Sequence, residues 1–238
     1  IFNKPINSEY MDIKDNLYSV LDDIGKESIQ IEFQNDINTS IPKINEILKK
    51  TIESIYQKTP NGGSIHDSNI NQKLLSSLCE AFLHFLLTTT SLPSQRKIML
   101  REIEIDLLIP DIKTFRKDPE KAIIIKFDKD SSTLEYINRL NDIQPNTSNI
   151  WIVSSTPVTP FNRNYIIYIN KEQEYSHHLF ENRNETNENY NYDFISNKNS
   201  KHRKNIHPNY VPFNEIIVDI DKFLNDTEHK GFRFLPLL

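Results

Sequence analysis

Apolar residues return at three- and four-residue steps in two early stretches, which predicts helices over residues 7–23 and 44–57. In the second, Ile44, Ile47, Leu48, Ile52 and Ile55 share one side. Between the two, residues 28–33 alternate apolar with polar and predict a short strand. Pro60, Asn61, Gly62 and Gly63 form the strongest turn signal of the chain, and the loop continues to Asn69. A structural boundary is expected there.

Residues 71–88 predict a long helix with Leu74, Leu75, Leu78, Phe82, Phe85 and Leu86 on its apolar face. Residues 97–109 predict a strand, or a hairpin with no obvious tight turn. Ile103, Ile105 and Leu107 fall on one side of it, and Glu102, Glu104 and Asp106 on the other. Residues 122–127 contain three successive isoleucines and predict a buried strand. Residues 131–143 predict a helix capped by Ser131 or Ser132, with Glu135 at capping-box spacing from Ser132. Two more strands are expected over 149–154 and 165–169.

Past that point the chain turns polar. Residues 181–191 are mostly Asn and Glu, which bury too little apolar area to offset chain entropy. A basic knot follows at Lys198, Lys201, His202, Arg203 and Lys204. Residues 215–220 predict a strand, 221–225 a short helix, and 232–238 an apolar tail that docks. The expected organisation is a helical extension over 1–63, an α/β core over 64–170, a polar loop over 171–209 and a strand-and-helix addition over 210–238.

Composition narrows the function classes. The 238 residues are 37% hydrophobic and include 27 Asn but only 4 Gly, so a core is diluted by polar loops. One Cys excludes an intramolecular disulfide framework and any Cys-rich zinc site, and low cysteine fits an intracellular protein. Cys79 lies in an apolar helical run and reads as core filler. No apolar run is long enough to span a membrane, so no membrane partner is expected. The start at Ile1 has neither Met nor the features of a signal peptide, which predicts a fragment, a processed form or part of a longer chain. A net charge of -5 argues against a broad nucleic-acid coat but leaves room for a local basic patch. No Gly-x-Ser-x-Gly elbow and no phosphate loop are present, and His177 and His178 in a polar stretch and His202 and His207 beside basic residues argue against a zinc site.

The core order is helix, one or two strands, strand, helix, strand, strand. Glu80 lies in the first helix (LCEAFLHFLL), Asp106 in the second strand (REIEIDLLIPD) and Lys126 in the third (AIIIKFDK). The helix STLEYINRL and the strand NIWIVSS follow. Over residues 70–170 this pattern resembles the PD-(D/E)XK nuclease superfamily. The resemblance implies an α/β (or α+β) fold with a mixed central sheet flanked by helices. It also implies Mg²⁺ held by carboxylates, with Lys126 orienting water or stabilising charge at a phosphodiester.

One position departs from that pattern. The family places an acid two residues before the lysine, where it shares the strand face, and this chain has Ile124. An aliphatic side chain cannot bind Mg²⁺. Either the site has decayed and the fold is kept as a scaffold, or charge is replaced by Asp128 beside Asp106 as a metal ligand, by Glu135 on the following helix, or by Glu80 or Glu104. Pro110 and Asp111 form a literal Pro-Asp pair, but past the strand, where Asp111 reads as a turn residue.

Three functions remain open on these residues. The chain cleaves DNA or RNA with Mg²⁺ through Asp106, Lys126, Glu80 and a displaced acid such as Glu135. Alternatively, it is an inactive nuclease-like scaffold that meets protein partners in a larger assembly. Or it binds nucleic acid without cutting. The knot of Lys198, Lys201, Arg203 and Lys204 is either a solvated or targeting loop or an arm that meets phosphate.

Overall fold

The triple isoleucine forms β3 (Ile123–Phe127). Ile123, Ile125 and Phe127 enter one apolar cluster and Ile124 enters a second, so the sheet is covered on both faces. A near-continuous apolar run is what such a strand requires. This computed structural model describes residues 6–38, 41–57, 68–129, 133–156, 158, 162–167 and 210–227. Within them β1 (Gln95–Leu100), β2 (Ile103–Ile109), β3, β4 (Ile150–Ser154), β5 (Arg163–Ile166) and β6 (Tyr210–Pro212) form one sheet in chain order. The β1–β2 and β2–β3 pairs are antiparallel, and β3 through β6 run parallel. The mixed sheet flanked by helices is the architecture expected from the sequence.

Helices α1 (Ile6–Ile24), α2 (Lys26–Asn35), α3 (Ile41–Gln57), α4 (Ser68–Thr89) and the last helix, α7 (Ile216–Asp226), cover the Ile125 face. Between α4 and α7 in the chain, α5 (Ile112–Lys117) and α6 (Thr133–Asn141) cover the Ile124 face. α4 is the centre of the thicker layer. Its Leu75, Leu78, Phe82, Leu83 and Leu86 are fully buried, and it packs on β3 and β4 and against α1, α2 and α7. The side chains of α1 and α3 join the same apolar cluster as α4 and the sheet. No helix among the described residues is long and apolar enough to cross a membrane.

Two expected strands are helices. Residues 28–33 lie in α2, where Ile29 and Phe33, four apart, are buried while Ile31 is 61% exposed. The short alternation concealed an i, i+4 pair. Gly25 separates α1 from α2 with φ 99°, a left-handed conformation that suits glycine. Glu215 ends a short turn (Phe213–Glu215) and residues 216–220 lie in α7, where Ile216, Ile217, Ile220 and Leu224 are buried at helical spacing. A three-residue β6 precedes them in place of the expected strand. The capping serines 131 and 132, the tail 232–238 and the whole polar loop over 171–209 lie outside the described residues.

The hairpin of β1 and β2 also departs from the expected pattern. Its turn residues Arg101 and Glu102 have φ 46° and 65°, as a two-residue type I′ turn needs, but carry none of the usual Asn-Gly signal. Ile103 and Ile105 pack in the cluster of Ile124, whereas Leu107 packs in that of Ile125. The alternation of β2 therefore changes phase at Asp106. The ladder pairs Arg96 with Leu107 and Ile98 with Ile105, so the intervening step sets Lys97 opposite Asp106. Lys97 has φ 49°, which breaks the strand geometry at the same step.

Replacing Phe82 by Ala is expected to lower unfolding free energy by about 3–5 kcal/mol, read from urea denaturation followed by circular dichroism. A loss below about 1 kcal/mol would mean that α4 does not carry the core.

Candidate functional site

β2 and β3 pair through Ile109–Ile123, Leu108–Ile124 and Leu107–Ile125, then part. The next residues across the gap are Asp106 and Lys126. Oδ2 of Asp106 accepts the Phe127 backbone N–H at 3.2 Å and lies 3.2 Å from Lys126 Nζ. The Lys126 ammonium also sits over the Tyr136 ring from α6, 4.3 Å from its centroid. Tyr136 is fixed by donating its hydroxyl hydrogen to the Glu104 carbonyl. A lysine in a buried strand thus has both a counter-charge and an aromatic face.

Glu80 reaches the same region from α4 and is only 3% exposed. Its Oε1 lies 3.0 Å from Arg96 and 3.7 Å from Lys97, and its Oε2 pairs with Lys129. Lys97 in turn lies 2.5 Å from Asp106 Oδ1 and 3.4 Å from Glu104 Oε1. Successive residues of a regular strand point to opposite faces. Arg96 and Lys97 nevertheless meet one Glu80 oxygen, because the left-handed backbone at Lys97 breaks that alternation. Such a conformation in a non-glycine residue costs about 1 kcal/mol or more, offset here by three carboxylates.

Charge states follow from this arrangement. Burial alone would raise the Asp106 carboxyl, but the charge of Lys126 and the hydrogen bond from Lys97 bring it below its ordinary value. Burial likewise opposes the Glu80 anion, and Lys129 with Lys97 and Arg96 outweighs it. Lys97 is pushed down by burial and pulled up further by Asp106 and Glu80, so it stays an ammonium. At neutral pH the cluster holds the anions Glu80, Glu104 and Asp106 against the cations Arg96, Lys97, Lys126 and Lys129.

Glu80, Asp106 and Lys126 are thus brought together. Asp128 is not on the face of Lys126: β3 ends at Phe127, and Asp128 turns buried toward α4. There its carboxylate accepts from Gln72, and its carbonyl accepts from Ser76 at 2.5 Å. Glu135 is exposed on α6, and no ion pair joins it to the cluster among the described residues. Asp111 caps α5 by accepting the Thr114 N–H, as a turn residue would. Cys79 is fully buried with its thiol pushed up, the state of core filler. Lys198, Lys201, Arg203 and Lys204 lie outside the described residues. Arg96, Lys97 and Lys129 were not singled out from the sequence. Counting back from a turn at Arg101 and Glu102 would have set Lys97 opposite Asp106.

The donor set does not fit a divalent cation as it stands. Both oxygens of Glu80 and both of Asp106 already face ammonium, guanidinium or backbone N–H groups. Those oxygens are thus already met by positive charge, whereas Mg²⁺ needs anionic or neutral oxygen donors turned to it at about 2.0–2.1 Å. No group of three or more His, Cys, Asp or Glu side chains among the described residues converges as a metal site.

No protein-family model matches the chain, and no curated protein does. Among solved structures it is similar to the restriction endonuclease PspGI in complex with substrate DNA. The match has a TM-score of 0.57 at 14% identity, over 90% of this chain and 93% of that one. The fold is restriction-endonuclease-like. Metal-depleted Ecl18kI with uncleaved DNA also matches, at a TM-score of 0.46 and 9% identity over 94% of this chain and 82% of that one. In a restriction-endonuclease-like sheet of this order, the parting of β2 and β3 is where Asp106 and Lys126 meet.

Stability should be constant near neutral pH and fall in acid. The two carboxyls lie below their ordinary values of 4.5 and 3.8, so their contribution is complete above those values and is lost as pH falls through the lower folded ones. Asp106→Asn and Glu80→Gln should each cost about 2 kcal/mol at pH 7 and flatten the acid fall, in urea titrations run from pH 7 to pH 3. An unchanged acid limb in both variants would contradict the assignment.

Proposed function

We propose that this chain binds DNA at the parting of β2 and β3, with Lys126, Lys97, Lys129 and Arg96 receiving a backbone phosphate, and that it does not cleave through an ordinary Mg²⁺ site. The observation that carries this reading is the convergence of Arg96, Lys97, Lys126 and Lys129 on Glu80 and Asp106. A phosphodiester anion is attracted to such a group of cations, whereas a further cation is repelled by it. The fold supports nucleic acid as the partner, and the PspGI structure contains its substrate DNA. Ile124 supports binding without metal-assisted hydrolysis. It is fully buried in apolar packing, so the acid-bearing position of the resembled family is used here for the core.

The overall charge of -5 does not oppose this. Screening confines electrostatic influence to about 8 Å at physiological ionic strength, so a local cationic cluster governs what approaches it. Lys126 is fixed by Asp106 and Tyr136 and loses little freedom on meeting phosphate. Lys97, 43% exposed, is the most accessible of the cations.

Labelled duplex DNA should bind in EDTA, read by fluorescence anisotropy, and weaken as salt rises. Lys126→Ala and Lys129→Ala should each weaken binding about 10-fold, near 1.4 kcal/mol, with unchanged circular dichroism. RNA or single strands binding in preference to duplex would move the partner class. Absence of binding to all three would sink the proposal. Mg²⁺-dependent cleavage abolished by Asp106→Asn would overturn the non-cleaving part.

A further inference from the structure

Lys97 is surrounded in a way that a surface lysine is not. Its Nζ lies 2.5 Å from Asp106, 3.4 Å from Glu104 and 3.7 Å from Glu80. These carboxylates come from β2 and α4, on two sides of the strand parting. A single ammonium therefore stands at the point where the site's negative charge converges. Its backbone is left-handed at φ 49°, opposite Asp106 at the step where β2 changes phase. In a regular strand Arg96 and Lys97 would face opposite ways, and only one of them would reach Glu80. The local distortion is what lets the Lys97 ammonium meet all three carboxylates.

A divalent ion would need those oxygens. Mg²⁺ commonly uses only one or two protein carboxylates, completed by water and phosphate oxygens. Asp106 with Glu80 or Glu104 would supply that number if the ammonium were absent. While Lys97 is in place, a divalent ion close to Asp106 Oδ1 would stand within a few ångströms of an ammonium that repels it. The remaining Glu80 oxygen is held by Lys129, and the remaining Asp106 oxygen by Lys126 and the Phe127 N–H.

We propose that Lys97 is a tethered cation occupying the place of the divalent metal, so that it excludes Mg²⁺ and Mn²⁺, and that removing its charge opens a divalent-cation site on Asp106 with Glu80 or Glu104. This deepens the reading above and rests on it for the identity of the site. Cation binding is measured without DNA, so the two can fail separately.

The experiment is calorimetric titration of Mn²⁺ into the full chain, its Lys97→Met and Lys97→Arg variants, and Lys97→Met combined with Asp106→Asn. Thermal melting with and without Mn²⁺ is read alongside. Lys97→Met keeps the length and apolar stem of the side chain while removing its charge, and circular dichroism checks its fold. The expected result is at least a 10-fold tighter Mn²⁺ affinity in Lys97→Met than in the unaltered chain, with a metal-dependent rise in Tm. Lys97→Arg should behave like the unaltered chain, and the double variant should lose the gain. Equal Mn²⁺ affinity in the unaltered chain and Lys97→Met would overturn the proposal. So would a gain that survives Asp106→Asn. Should Lys97→Met not fold, Lys97→Gln takes its place with the same two outcomes.

Discussion

A carboxylate buried beside a sheet that is covered on both faces must be met by N–H groups or by positive charge. Asp106 imposes that constraint here. Its oxygens take the place of a ladder bond to β3 and draw in Lys126 from across the gap and Lys97 from the neighbouring strand. The parting of β2 from β3, the phase change in β2 and the left-handed backbone of Lys97 all occur at that one residue step. Removing one member of such a network leaves its partners charged and half-buried, which is why the local geometry is so closely specified.

The second acid, Glu80, extends the network into the helical layer. α4 is held on β3 and β4 by its leucines and Phe82, and this packing carries Glu80 to the strand parting. The apolar layer is thus what positions the polar one. Position 124 shows the exchange most directly. An acid there would lie on the face of Lys126, but the isoleucine joins Ile105, Leu108 and Ile150 in the cluster beneath α5 and α6. The chain gains apolar packing on that face, and the negative charge near Lys126 is left to Asp106.

The central elements were legible because their signals are local. Three isoleucines in a row fix β3, and Lys126 stands out as a charge in a strand that has no exposed face. The leucines of α4 and the order of elements pointed to the right architecture. α2 was misread because a six-residue window containing Ile29, Ile31 and Phe33 alternates, although only the first and last are buried. α7 was misread because Ile216, Ile217 and Val218 look like a strand until Leu224 reveals the longer period. Lys97 was missed for a different reason. Nothing near it in sequence marks a kink, and its significance comes from a register with Asp106 that requires knowing a turn made without glycine or asparagine. Asp128 illustrates the converse: its spacing from Lys126 suggested a shared face, but the strand stops before it.

Among the described residues, the two outer strands of the sheet have a consequence for how copies of this chain behave together. At one margin, β6 has three residues and ends in Pro212, which has no N–H to offer a further strand. At the other, β1 carries Arg96 and a kinked Lys97, whose charges and backbone resist regular pairing. Open edges invite neighbouring chains to add on, and short, charged or proline-bearing strands are what prevents it. The residue step that organises the charged cluster also blunts one of those margins, so a substitution that relaxed β1 into a straight strand would unmake the cluster and, at the same stroke, leave a template for aggregation.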